Sequence, residues 1–227
     1  MKEDIKSMLE ESGNLKIELA KNYAGNIEQC AKLIINCLKN NKKILLAGNG
    51  GSSTQATHIA AEFTGRYKLE RKALPAIALT TDLAAITAIG NDYGFDNIFS
   101  RQLEALGNEN DVLIALSTSG NSKNIINAVD TAKKMKIKVI GLLGKDGGKQ
   151  KNSSDIEIIV PSNNTPRIQE AHLTILHIIC EIVEKQLFFN EIPINIDTGV
   201  LEETTLKDGF DMSEYIEDIK PKIENKK

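Results

Sequence analysis

Five short apolar runs, each fed into a helical stretch, constrain this chain more than any other feature. They are Lys43–Ala47, Ala76–Leu79, Val112–Leu116, Val139–Leu143 and Ile156–Val160. Apart from Lys43 and Glu157 they are continuously apolar rather than alternating apolar with polar. That is the pattern of a strand buried on both faces. Between and after them lie segments with helical spacing, at about Ser53–Gly65, Asp82–Ile89, Asp96–Leu106, Asn121–Met135 and Pro166–Phe188. Strand and helix alternating over short links predict an α/β fold, a parallel sheet covered by helices on both faces. At 227 residues the chain can bury roughly 70% of its unfolded surface and needs no disulfide staple.

The two ends differ from this middle. Residues 3–40 carry apolar side chains at helical spacing, and Ser12-Gly13-Asn14 predicts a break between a short helix and a long one. This arm (1–40) precedes the first strand and reads as a subunit-contact helix. The middle, 41–187, reads as the single α/β domain with which the arm packs. The end, 188–227, has ten Asp/Glu against five Lys and reads as an acidic appendage. Within it, Ile192–Ile196 predicts an edge strand and Met212–Ile219 a short helix.

Composition removes several function classes. No apolar run approaches the ~20 residues of a membrane span, and the acidic start MKEDIKSMLEESG does not resemble a secretory signal. The expectation is a cytoplasmic protein without a membrane partner. The net charge is −3, no Lys/Arg stripe stands out and aromatics are 4%, so no nucleic-acid partner is expected. Cys30, Cys37 and Cys180 lack metal spacing and read as buried thiols.

In open α/β sheets ligands bind beyond the carboxyl ends of the strands, so the chemistry belongs to the loops there. Gly48-Asn49-Gly50-Gly51-Ser52-Ser53 follows the first strand and opens a helix. It is either a tight turn or a site where backbone closes on an anionic ligand. It fits neither GxGxxG nor GxxxxGK[ST], which argues against a nucleotide. Ser117-Thr118-Ser119-Gly120-Asn121-Ser122 follows the third strand with four hydroxyls in six residues. One cap needs one hydroxyl, so the surplus favours a phosphate cradle over a plain N-cap. Gly90-Asn91-Asp92-Tyr93-Gly94 offers either sugar-bonding side chains or an Asx turn. His58 and Glu62 share a helix face at i, i+4. Gln169, Glu170, His172 and His177 lie on the last helix, and the chain's three histidines all fall on these two helices. A His/Glu pair facing a Gln/His pair suits a divalent metal or acid–base catalysis.

In combination, AGNGGSSTQATHIAAEFTGRY, AIGNDYGFDNIFSRQ, STSGNS, GKDGG and RIQEAHLTILHI resemble the phosphoheptose isomerases of the sugar isomerase (SIS) superfamily, over about residues 10–187. The resemblance implies a three-layer α/β/α SIS fold with a five-stranded parallel sheet and an N-terminal helical arm, assembled as a homotetramer. It implies conversion of sedoheptulose 7-phosphate to D-glycero-D-manno-heptose 7-phosphate through a cis-enediol. That product leads to nucleotide-activated heptose for bacterial surface polysaccharide, lipopolysaccharide or capsule. Carried over residue by residue, the catalytic carboxylate falls on Glu62 and the catalytic histidine on His177. Substrate would be bound by Asn49, Gly50 and Gly51, by Asn91 and Asp92, and by a phosphate site of Ser117, Thr118, Ser119 and Ser122. Ser52, Glu62 and Gln169 would border the same pocket. Zinc, one per subunit, would be held by His58, Glu62, Gln169 and His177, and no nucleotide cofactor is implied. Two features depart from the family's pattern: Gln55 stands where an acidic residue is more usual, and a tail follows residue 187. The rival readings are a non-catalytic SIS tetramer that binds a replication initiator, whose kind lacks a glutamate at position 62, and a SIS isomerase or sensor of another sugar phosphate. Turnover of sedoheptulose 7-phosphate separates the first, and a panel of ketose phosphates the second.

Overall fold

The computed structural model describes residues 1–188. The predicted edge strand and helix of the acidic tail lie outside the described residues. Five strands, β1 (Ile44–Gly48), β2 (Ala76–Ala78), β3 (Val112–Ser117), β4 (Lys138–Gly144) and β5 (Ile156–Val160), form one sheet in the order β2-β1-β3-β4-β5. Every neighbouring pair is parallel. The predicted runs thus become strands with ends shifted by a residue or so. The helices are α1 (Lys2–Lys39), α2 (Gly51–Thr64), α3 (Leu83–Tyr93), α4 (Ser100–Leu106), α5 (Lys123–Lys134) and α6 (Thr165–Phe188).

The pleat sorts the strand residues into two cores. Ile44, Leu46, Ile114, Ile140, Leu142 and Ile158 pack beneath α1, α2 and α6. Leu45, Ala47, Leu113, Ala115 and Val139 pack beneath α4 and α5. Since both faces of the central strands are buried, polar side chains are confined to strand ends and the edge strand, as at Lys138, Ser117 and Glu157, which is why the runs are nearly continuous in sequence. The three cysteines are buried, and burial pushes the Cys30 and Cys37 thiols up to about 12.

Two expectations are corrected. The break at Ser12-Gly13-Asn14 is absent: α1 runs unbroken for 38 residues, about 57 Å at 1.5 Å per residue. A mid-helix glycine costs only about 1 kcal/mol against alanine. Tertiary bonds oppose that cost, because Ser12 Oγ donates to Glu170 Oε2 at 2.8 Å and Arg167 Nη1 to the Met8 carbonyl at 2.7 Å. The second correction concerns Asn91 and Asp92, which lie in the last turn of α3 rather than in a loop. Asp82 caps α3 by accepting from Ala85 N, and Gly94 at φ 85° ends it. No Asx turn forms there; Asn91 Nδ2 donates to Asp92 Oδ1 at 2.8 Å. The stretch predicted as one helix from Asp96 is divided into a short 3₁₀ turn (Phe95–Asn97) and α4.

Candidate active site

The chain reverses its direction across the sheet between β1 and β3, which opens a crevice at their carboxyl ends. Gly48 and Leu116 are register partners, so the glycine loop after β1 and the hydroxyl loop after β3 start level with each other. A reciprocal amide pair joins them: Asn49 Nδ2 donates to Asn124 Oδ1 and Asn124 Nδ2 to Asn49 Oδ1, both at 2.8 Å. Asn124, buried in the first turn of α5, went unnoticed in sequence; a polar residue on that helix's apolar face is the signal that marks it. Gly51 is needed for close packing, because a Cβ there would strike the Gln169 amide. Gln169 thus lies over the start of α2. Ser52 is buried beside it, and Gly50 sits at φ 55° with an exposed surface. Gln55 is buried too. Its Nε2 donates to the Gln169 carbonyl at 2.6 Å, while its Oε1 has no partner among the described residues.

One turn apart on α2, His58 and Glu62 meet His177 of α6. His58 Nε2 lies 3.2 Å from Glu62 Oε1 and 3.0 Å from His177 Nε2. One ligand atom from each of the three fits within 4.8 Å of the others. Two imidazole nitrogens at 3.0 Å cannot both present bare lone pairs; a proton or a cation must lie between them. Two imidazoles and a carboxylate are also the donor set that suits Zn²⁺, so the residues present fit such an ion. Burial lowers the His177 pKa, the neighbouring His58 lowers it further, and Glu62 opposes both. The Tyr67 ring stands 6.0 Å from that of His177, and burial, aided by Glu181, Cys180, Glu62 and Glu184, pushes its phenol up to about 12. The other two residues singled out on the last helix, His172 and Glu170, are engaged elsewhere. His172 is wholly buried with Nε2 3.0 Å from the Leu143 carbonyl oxygen, and Glu170 holds Ser12 and Arg167.

The hydroxyl loop is tightly folded. Gly120 N donates to Ser117 Oγ at 3.1 Å, and Asn121 N to Ser119 Oγ at 3.2 Å. Ser117 Oγ in turn donates to Ser122 Oγ at 3.4 Å. Ser122 takes the N-cap position of α5 but makes no side-chain cap hydrogen bond, so capping does not account for these hydroxyls. The GKDGG turn (144–148) braces the loop from behind. Asn121 Nδ2 donates to the Ser119 carbonyl at 2.8 Å while Asn121 Oδ1 accepts from Lys149 N at 3.1 Å. Gly120, at φ 62°, presses against the Gly147 carbonyl so closely that no Cβ fits. The N–H groups of Gly120 and Asn121 are thus spent inside the loop, and directly after it comes the start of α5, where a helix favours an anion. Asn91 and Asp92 stand apart, exposed at the end of α3, with no hydrogen bond to triad or cradle among the described residues.

Comparison with known proteins follows the same lines. The SIS domain family matches residues 9–144. The phosphoheptose isomerase of Sulfurimonas denitrificans is 51% identical over 190 residues, which is 83% of this chain and 97% of that protein. The one from Geobacter sulfurreducens is 50% identical over 188 residues, 83% of this chain and all of its counterpart. Among solved structures, the phosphoheptose isomerase of Neisseria gonorrhoeae superimposes with a TM-score of 0.77 at 45% identity, covering 81% of this chain and 98% of that one. That of Francisella tularensis gives 0.78 at 45% identity, with 81% and 97% covered. The chain belongs to the phosphoheptose isomerase family of SIS-domain proteins.

Proposed function

We propose that this chain is a ketose–aldose isomerase that converts sedoheptulose 7-phosphate to D-glycero-D-manno-heptose 7-phosphate. The observation that carries the reading is the meeting of His58, Glu62 and His177 in a chain whose loop after β3, the sheet neighbour of β1, is rich in hydroxyls. The reaction moves a proton between C1 and C2 through a cis-enediol, and moves a second proton between the two oxygens. Glu62 is the base that takes the proton from C1 and returns it at C2. His177 shuttles the oxygen-bound proton. Its lowered pKa keeps it neutral near pH 7, so one ring nitrogen can donate while the other accepts. Ser117, Thr118, Ser119 and Ser122 hold the phosphate at the far end. Anchoring it restricts the sugar so that C1 and C2 present themselves to the acid–base pair. Asn49, Gly50, Gly51, Ser52 and Gln169 line the floor between the two ends. Asn91 and Asp92, at the exposed end of α3, bond sugar hydroxyls.

Zinc is the cofactor we assign; His58, Glu62 and His177, with Gln169 of α6, would hold it loosely enough that Glu62 and His177 still carry protons. Bound there, it would supply Lewis-acid stabilisation of negative charge on the substrate oxygens. We further assign a homotetramer in the cytoplasm, where phosphorylated sugars reside, serving surface polysaccharide synthesis. Support for assembly comes from apolar side chains left in solvent, with Leu83 72% and Phe95 61% exposed beside α3, and Met8 and Leu9 on α1.

The test is NMR of purified protein with sedoheptulose 7-phosphate, with and without added Zn²⁺, beside Glu62→Gln. Wild type is expected to form the aldose. The variant is expected to lose at least about 100-fold in turnover while still binding substrate. Activity above a few per cent in Glu62→Gln sinks the base assignment. No turnover by the folded wild type sinks the isomerase reading.

A further inference from the structure

The loop between α2 and β2 hangs on one buried ion pair that the proposed chemistry does not use. Arg71 Nε lies 2.9 Å from Glu184 Oε2, and their side chains are 2% and 3% exposed. Burying such a pair is costly, and apolar replacements of similar volume are often no less stable, so stability alone is a weak reason for it. What the pair touches supplies a better one. Arg71 Nη2 donates to the Glu62 carbonyl at 2.8 Å, and Nη1 to the carbonyls of Phe63, Gly65 and Lys72 at 2.9, 3.0 and 3.0 Å. Glu62 and Phe63 lie in the last turn of α2, where carbonyls have no partner within the helix. A guanidinium there completes the helix end and complements its dipole.

Glu184 works in the other direction. It lies two turns beyond His177 on α6. Its Oε1 accepts from Lys68 N and Leu69 N, each at 2.8 Å, and its Oε2 from Tyr67 N at 3.1 Å. The end of α2 that carries Glu62, the helix that carries His177, and the segment that sets Tyr67 beside His177 are all tied to this one pair. We propose that Arg71 and Glu184 are positioning residues that hold the Glu62 carboxylate at working distance from His177. This rests on the isomerase reading of the site.

The experiment compares Arg71→Lys with Asp111→Asn. Lysine keeps the charge opposite Glu184 but lacks the planar fork that reaches several carbonyls at once. Asp111 is a buried carboxylate at the opposite end of the sheet. It bonds Lys43 Nζ and the Lys43 and Asn108 N–H groups and lies outside the proposed site. Both variants are expected to lower the melting midpoint. Only Arg71→Lys is expected to lower kcat, by roughly 10- to 100-fold, because a displacement near 1 Å at the reacting groups has that scale. KM should stay within about twofold, since the phosphate cradle is built on β3 and α5. Glu184→Gln should give the same split, and is the variant read if Arg71→Lys yields no folded protein. Loss of melting midpoint with kcat retained, as in Asp111→Asn, overturns the proposal. Failure of the wild type to isomerise sedoheptulose 7-phosphate instead overturns the reading beneath it.

Discussion

Acidification from pH 7 to pH 4 is expected to cost the fold about 3 kcal/mol through one core side chain, His172. This residue has zero exposure, and its Nε2 lies 3.0 Å from the Leu143 carbonyl oxygen. A carbonyl only accepts, so Nε2 carries the proton and Nδ1 is bare. Nδ1 is buried and has no partner among the described residues. A second proton would place a charged N–H there with no acceptor. Burial accordingly pushes the pKa from 6.5 down to about 4, against the Leu143 bond, which favours the charged form. In the unfolded chain the same imidazole titrates near 6.5. Between those two values the unfolded state binds more protons than the folded one, so stability falls as the pH falls. The slope approaches about 1.4 kcal/mol per pH unit, and 2.5 units give roughly 3 kcal/mol. Above pH 7 the contribution is complete, and below pH 4 this group removes nothing more. The assay is urea unfolding at several pH values for wild type and His172→Gln, whose amide can still donate to Leu143 but does not titrate. Carboxylates and the other histidines contribute alike to both proteins, so the difference in slope belongs to His172. Equal slopes for the two proteins between pH 6.5 and 4 would refute the argument.

Two further predictions address the cradle. Ser119→Ala should raise KM about fivefold with kcat little changed, because one neutral hydrogen bond to the phosphate contributes about 1 kcal/mol; steady-state kinetics with an unchanged KM would remove Ser119 from the phosphate site. Gly120→Ala should lower the melting midpoint and raise KM together, since alanine is strained at φ 62° and its methyl group has no room beside the Gly147 carbonyl; a variant with wild-type midpoint and KM would mean the loop adopts another shape.

What could be read from sequence divides along the range of the interactions. The strands were legible because burial on two faces is written locally, in the residues themselves. The helix through Gly13 was not, because the bond that opposes the glycine's cost joins Ser12 to Glu170, 158 positions away. Asn91 and Asp92 looked like turn residues, yet the apolar periodicity before them carries α3 on until Gly94 supplies a positive φ. On α2 the His58–Glu62 pair followed from spacing, while its meeting with His177 across 119 positions did not. The last helix held an unused signal. His172 and His177 are five residues apart, about 140° around a helix, so the two cannot face one site. Gln169 and His177, eight apart, differ by about 80°, which agrees with both lying on the α2 side. Arg71 and Glu184 gave no sign in sequence, since they meet across 113 positions and their other partners are mostly backbone atoms, which carry no residue type.

The two ends of the proposed reaction are held apart by the sheet rather than by any loop. The acid–base groups sit on helices that start from or pack beside the loop after β1, and the cradle starts after β3, its neighbour in the sheet. Adjacent strands lie about 4.8 Å apart, a distance that backbone hydrogen bonding fixes and side chains cannot alter. The Asn49–Asn124 pair carries that spacing one step further, out of the strands and into the loops, where no ladder bond exists to maintain it. Each amide satisfies one donor and one acceptor of the other, so breaking either leaves a buried polar group unpaired. In the proposed reaction, a sugar phosphate reaching from the hydroxyl loop to the triad would thus be measured against a length set by the backbone.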